Sequence, residues 1–576
     1  MHGGEAIAAV LERHGVRFLF TLCGGHISPI LVGARARGIR VVDTRHEATA
    51  VFAADAVSRL TGTVGVAAVT AGPGVANSLT ALVNARLAQS PLLLLGGATA
   101  TVLKGRGALQ DIDQRGLVAS EVKWYHAVRR VRDLAPAVAE GLYRAREGVP
   151  GPVFLEVPVD LLYPEATVRE WYGLGARGGG FAGAVERAYL GRHLRRLFAA
   201  GGGDAPATVP PEPAPSTAEV ATAVRWLRRA TRPLLVVGSQ AAGSPEAAIA
   251  SAAAIRAAGL PVFLSGMARG LLGGRDPLLC RHRRREALRE ADLVILAGVP
   301  LDFRLDYGRP LGRRTRLVAV NLDRAALRRN RRPALAVAAS PARFLTALAA
   351  ALAGGGERAA TGEWRERLAS RDAEREREIE AEAAADSAAG VNPLRLLREV
   401  DRILEEESVM VADGGDFVAT AAYVTRPRGP LSWLDPGPFG TLGVGAGFAL
   451  AARLVRPEAD VFLLWGDGSC GYGLIELDTF VRHRLPLVAV VGNDASWTQI
   501  ARDQVPILGD PVGTVLARTT YERAAEGLGA RGLTLDKSVG IAGTLSAAKA
   551  LARQGQPVLV NAHLAPSDFR KGSISI

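Results

Sequence analysis

The chain has 576 residues, 48% of them hydrophobic, and a formal net charge of +13 at pH 7. That length predicts about three to four domains. The basic residues are scattered apart from one cluster at 281–285 (RHRRR), and no nucleic-acid-binding motif accompanies them, so the charge fits an anionic small molecule better than DNA or RNA. Cys23, Cys280 and Cys470 are far apart and odd in number, which argues against a disulfide framework. No apolar run reaches about 18 residues, so no transmembrane helix is expected. The first residues read as a globular helix and strand with acids at Glu5 and Glu12, not as a signal peptide.

Residues 5–14 have the spacing of an amphipathic helix, and 16–21 of a strand. The run CGGHISPI (23–30) then breaks regularity and carries His26. Residues 38–43 read as a strand, followed by a helix that starts at Glu47. Further strands are expected at 64–70, 91–95 and 151–158, with a Gly/Pro turn at 71–78 (AGPGVANS) and a helix at 79–88. This β-α alternation predicts a parallel, doubly wound sheet over residues 1–170. Glu47 is either a helix-start acid favoured by the dipole or a carboxyl in a dry pocket whose pKa rises until it shares a proton with a ligand. Trp124, Tyr125 and His126 read as packing.

Two stretches, 173–183 and 199–216, are rich in Gly, Pro and Ala, with one helix at 189–198 between them, so 171–216 reads as a linker. Strands at 232–238, 262–264, 293–297 and 317–321 define a central α/β domain, 217–355. Its first strand ends in Gly238, Ser239 and Gln240, without a GxGxxG fingerprint. Asp302, Phe303 and Arg304 suit a nucleotide contact or an inter-domain surface. Residues 356–390 carry a helix of alternating charge at 363–385, expected to be solvated.

The last domain, 391–576, opens with a helix at 393–404 and a strand at 409–412 that runs into Asp413-Gly414-Gly415-Asp416. A buried strand at 459–464 stops at Gly466, a helix follows at 474–482, and a second strand at 485–491 ends before Asn493 and Asp494. Such strand ends line the ligand crevice of an open parallel sheet. Gly466 and Gly468 let backbone approach a phosphate closely. Asp467 and Asp494 offer the hard oxygens that Mg²⁺ takes alongside phosphate oxygens. The spacing therefore points to Mg²⁺ holding a diphosphate.

The GDG at 466–468 with the later Asn493-Asp494 pair resembles the signature of thiamine diphosphate enzymes, with Asp at 494 where the usual pattern has Asn. RHE-x₄-FAADAVSRLTG and TAGPGVANS resemble the pyrimidine-binding domain of that family. GGHIS followed by GALQDIDQ resembles benzaldehyde lyase and the 2-hydroxyacyl-CoA lyases. GMARGLLG, DGGDFVATAA and WLDPGPFGTLGVGAGFAL extend that likeness to acetolactate synthase-like members over nearly the whole chain. The resemblance implies three doubly wound α/β domains: pyrimidine-binding, central and diphosphate-binding.

It also implies a set of residues. Glu47 would bond the aminopyrimidine ring of thiamine diphosphate, with His26 and Gln110 as proton relays at the reacting centre. Gly72 and Asn77 would border the cofactor, and Leu442, beside Thr441, would support the thiazolium. Gly415, Asp416, Gly466, Gly468 and Ser469 would meet the diphosphate. Asp467, Asp494 and the Ser496 carbonyl would ligate Mg²⁺. Trp497 and Gln499 would shape the substrate pocket, with Arg570 and Lys571 as candidates for CoA phosphates. FAD or ADP occupies the central domain in some relatives, but nothing specific here supports either. The implied reaction is cleavage of a 2-hydroxyacyl-CoA to a shortened aldehyde and formyl-CoA. An acetolactate synthase-type carboligation of pyruvate is the alternative, and a non-catalytic cofactor-binding homologue a third. A homodimer or homotetramer with active sites at the subunit interface is implied. So is an endoplasmic reticulum membrane location with a cytosol-facing catalytic part, or a cytoplasmic one, since this sequence carries no visible anchor.

Overall fold

The computed structural model describes residues 2–174, 180–199, 206–355, 357 and 359–571. Among them, eighteen strands form three six-stranded sheets in which every pairing is parallel. The first sheet contains β1 (Phe18–Thr21), β2 (Arg40–Asp43), β3 (Gly65–Val69), β4 (Leu92–Ala98), β5 (Trp124–Ala127) and β6 (Pro152–Pro158), in the order β2-β1-β3-β4-β6-β5. β3, β4 and β6 are buried at every position, because the crossover helices of a parallel sheet cover both faces. Trp124 stacks on His126, and the Tyr125 hydroxyl donates to buried Glu156, so that segment does pack.

The second sheet contains β7 (Pro233–Val237), β8 (Val262–Leu264), β9 (Leu279–Cys280), β10 (Leu293–Ala297), β11 (Arg316–Val320) and β12 (Leu335–Val337), ordered β12-β11-β10-β7-β8-β9. The third contains β13 (Val409–Asp413), β14 (Trp433–Leu434), β15 (Val461–Gly466), β16 (Val488–Asn493), β17 (Arg531–Leu535) and β18 (Val558–His563), ordered β14-β13-β15-β16-β18-β17. The third sheet repeats the order of the first. In both, the chain reverses its direction of winding beside the first strand, and such a switch point opens a crevice at the carboxyl ends of the first and third strands. The contacts group the chain into two compact units. One is Met1–Ser58, Thr63–Pro211 and Gly437–Thr441; the other is Arg59–Gly62, Glu212–Pro436 and Leu442–Ile576.

Three expectations change. The helix read at 189–198 begins earlier and spans Gly180–Leu197; parts of the two flanking linker stretches, 175–179 and 200–205, lie outside the described residues. The region read as one helix at 474–482 is a 3₁₀ turn, Leu474–Glu476, and a helix, Leu477–His483, preceded by another at Asp467–Gly473. The charged helix, Gly362–Ala384, is only partly solvated. It buries Trp364, Leu368, Ile379 and Ala383, and its Glu376 sits among His282 (2.9 Å), Arg398 (2.8 Å), Arg426 (3.0 Å) and Arg281. Burial alone would raise the Glu376 pKa, but His282 and the three guanidiniums hold it well below the usual range. No described helix is long and apolar enough to cross a membrane.

Candidate active site

The first group of candidates gathers at the carboxyl ends of β1, β2 and β3. Glu47 is the first residue of the Glu47–Thr61 helix, four residues beyond β2, and is 6% exposed. Its Oε2 accepts from Asn77 Nδ2 at 3.0 Å. Asn77 ends the short Pro73–Asn77 helix, which Gly72 enters at φ +62°, a conformation that favours glycine. A Cβ on Gly72 would lie 2.8 Å from the Gln110 carbonyl oxygen, so the chain at Gln110 rests directly on this turn. Gln110 itself has φ +64°, rare for a side-chain-bearing residue. His26 Nδ1 lies 3.2 Å from Thr70 Oγ1, and burial lowers its pKa, so the imidazole is neutral at pH 7. His26 and Gln110, remote in sequence, thus both pack on the turn that follows β3.

The second group lies at the carboxyl ends of β13, β15 and β16. Gly414 adopts φ +132°, and a Cβ there would meet Ser469 Oγ at 2.6 Å. The Ser469 hydroxyl donates to the carbonyls of Asp413 (2.7 Å) and Gly466 (3.1 Å). It therefore ties the two loops together. Asp467 opens a helix directly after β15. Its Oδ1 accepts from Gly468 N–H at 2.8 Å, while its buried Oδ2 has no partner among the described residues. Burial, reinforced by the charge of Asp494, pushes the Asp467 carboxyl up to about 6. Burial also raises the Asp494 pKa, and Asp494 Oδ2 accepts from Thr498 Oγ1 at 2.6 Å. Between Asp494 and Ser496, Ala495 takes φ +57°, which makes the turn tight. Thr441 and Leu442 are half-buried just ahead of the Val444–Val455 helix.

Four participants had no role assigned from sequence, although Asp413 was already placed at its strand end. Asp413 is fully buried at the end of β13 and accepts from Gly443 N–H (3.2 Å), Gly445 N–H (2.8 Å) and Trp465 Nε1 (3.2 Å), with burial pushing it up to about 6. Thr498 holds Asp494, as above. Tyr521 donates to the Asp467 carbonyl at 3.1 Å. Arg502 pairs with Asp416. The Trp497 indole lies against Gly468, where a Cβ would sit 2.4 Å from the ring, and Gln499 lies against Gly415. Arg570 lies over the Tyr423 ring, and Lys571 is exposed.

The donor set fits a magnesium diphosphate. The unpartnered Asp467 oxygen is what a cation would satisfy, and glycine at 414 and 468 lets Ser469 and Trp497 pack directly on the two loops. Among the described residues no three His, Cys, Asp or Glu side chains form a metal cluster. A cation here would be held by two carboxylates and completed by a backbone carbonyl and the phosphates, as suits Mg²⁺.

Comparison with known proteins agrees. Residues 1–117 match the thiamine pyrophosphate enzyme N-terminal TPP binding domain, 220–348 the central domain and 413–562 the C-terminal TPP binding domain. The chain is 50% identical over 583 residues to 2-hydroxyacyl-CoA lyase 2 of Homo sapiens, covering 100% of this chain and 92% of that protein. It is 49% identical over 587 residues to 2-hydroxyacyl-CoA lyase 2 of Caenorhabditis elegans, covering 100% and 91%. A probable acetolactate synthase of Mycobacterium bovis is 34% identical over 574 residues, covering 98% and 96%.

Proposed function

Since this chain belongs to the thiamine pyrophosphate enzymes, we propose that it is a lyase that cleaves a 2-hydroxyacyl-CoA into an aldehyde one carbon shorter and formyl-CoA. Full-length likeness to two named 2-hydroxyacyl-CoA lyases supports this. The observation that carries it within the molecule is the seating of His26 and Gln110 on one turn after β3.

Thiamine diphosphate, when bound, supplies a nucleophilic carbon and stores the electron pair released as the C–C bond breaks. The chain's residues do the rest. Glu47, oriented by Asn77, shares a proton with a ring nitrogen of the cofactor. Neutral His26 takes the proton of the substrate 2-hydroxyl as the aldehyde forms, and Gln110 holds the oxygen. Asp467, Asp494 and the Ser496 carbonyl hold Mg²⁺. Gly415, Gly466, Gly468 and the backbone N–H groups of Asp416 and Ser469 cradle the diphosphate; Gly72 lets the chain turn close to the cofactor. Leu442, beside Thr441, supports the thiazolium ring.

The proposed domains are 1–170, 217–355 and 391–576, joined by 171–216 and 356–390. The proposed assembly is a homodimer or homotetramer with active sites shared between subunits, as the family resemblance implies. In the central domain, the polar side chains after β7, β10 and β11 bond to one another, Gln240 to Asn321 and Arg304 to Asp302, and neither FAD nor ADP is proposed. No membrane location is proposed.

The test is turnover of purified protein with thiamine diphosphate and Mg²⁺, offered a 2-hydroxyacyl-CoA and pyruvate separately. Aldehyde and formyl-CoA from the first, with little acetolactate from the second, is the expected result. The reverse would favour the carboligase reading, for which the likeness to the M. bovis protein speaks. Cofactor binding with neither product would leave a non-catalytic homologue.

A further inference from the structure

The Thr498–Leu508 helix touches the candidate diphosphate site along its first half. Trp497 packs on Gly468, Thr498 holds Asp494, Gln499 faces Gly415, and Arg502 pairs with Asp416. The last of these contacts joins two charged and largely buried side chains. Asp416 is the first residue of the Asp416–Val424 helix, and its side chain is 15% exposed against 12% for Arg502. The charge of Asp416 is felt at Asp494. Three carboxylates, Asp416, Asp467 and Asp494, therefore serve a site meant for an anion, and a divalent cation offsets only two of them. With Asp467 and Asp494 on the cation, the third is Asp416; the site carries it in addition to an Asp at 494, where the family's usual pattern has a neutral Asn. A like charge at short range in a half-buried site is costly to an incoming diphosphate.

We propose that Arg502 is a positioning residue for the cofactor: by neutralising Asp416 and drawing its carboxylate onto the Thr498–Leu508 helix, it keeps the surplus negative charge off the diphosphate and its Mg²⁺. This rests on the reading that thiamine diphosphate and Mg²⁺ occupy these loops. Arg502 acts through Asp416 and needs no contact with the phosphates themselves.

A double-mutant cycle tests it, read as the dissociation constant of thiamine diphosphate at fixed Mg²⁺ by calorimetry. The four proteins are wild type, Arg502→Gln, Asp416→Asn and the double variant. In the wild-type background Arg502→Gln should weaken binding about tenfold or more. In the Asp416→Asn background the same substitution should change it by less than about twofold, because the charge to be neutralised is gone. Arg502→Lys, which keeps the charge, should retain most of the affinity, and the thermal midpoints of the cofactor-free proteins report whether each variant folds. Unchanged binding in Arg502→Gln overturns the proposal. So does an equal loss in both backgrounds, or a loss in Arg502→Lys as large as in Arg502→Gln, since either would assign Arg502 a direct phosphate contact or a purely structural part. A wild-type protein that binds no thiamine diphosphate would instead remove the cofactor reading, and this proposal with it.

Discussion

Asp467 illustrates how one side chain couples stability to ligand binding. Its carboxyl is pushed up from 3.8 to about 6, by burial first and then by the charge of Asp494. In the unfolded chain it titrates near the ordinary value, so between those two pH values the folded state binds more protons. Stability from this group therefore falls as pH rises through that window and levels off above it. Replacing Asp467 by Asn removes the titration. In metal-free protein, Asp467→Asn should gain stability relative to wild type as pH rises from about 4 to about 6, read as the difference in urea midpoints. A constant difference across that range would show that Asp467 is not held protonated. The same ionisation must precede coordination, so Mg²⁺ should work against this penalty, which is how a ligand-binding residue comes to be one the empty fold bears at a cost.

At the scale of elements, most of the longer apolar strands were legible and most of the shortest were not. β4 and β6 are unbroken buried runs, and β8 and β10 fall where the sequence puts them. β9, β12 and β14 have only two or three residues, too few for a periodicity. β17 is RGLTL, which reads as loop, whereas the apolar run at the start of Val558–His563 does mark β18. The glycines and acids at the strand ends were legible because phosphate and metal chemistry restricts the residue types. Asp413, Thr498 and Arg502 were not, because each acts through a partner brought up by the fold. The charged Gly362–Ala384 helix shows the same limit: its composition gives a solvated face, but not that Glu376 would be enclosed by three arginines and His282 from three other segments. Glu376→Ala removes the one acceptor that these groups share, at a position where the carboxylate is only 20% exposed. It should lower stability by about 2–4 kcal/mol, toward the lower end of what breaking a buried pair costs, measured as a shift in urea midpoint with unchanged slope. A loss under about 0.5 kcal/mol would mean the cluster behaves as a surface ion pair.

At the scale of the whole molecule, the first and third sheets share one strand order, and each carries one half of the candidate chemistry at its switch point. Glu47, His26 and Gln110 belong to one compact unit; Asp467, Asp494 and Arg502 belong to the other. If the assembly is a symmetric dimer in which each active site takes its pyrimidine-binding half from one subunit and its diphosphate-binding half from the other, two inactive variants must complement. Glu47→Ala and Asp467→Ala should each abolish turnover alone. After mixing, unfolding and refolding together, half of the dimers carry one of each. Every such heterodimer holds one site in which both substitutions meet and one in which neither is present. Activity should therefore return to about a quarter of the wild-type value per subunit. Sites built within single subunits would regain nothing, since each would keep its own defect in any mixture. The experiment thus separates a shared active site from a self-contained one without reference to the substrate, provided one turnover assay works.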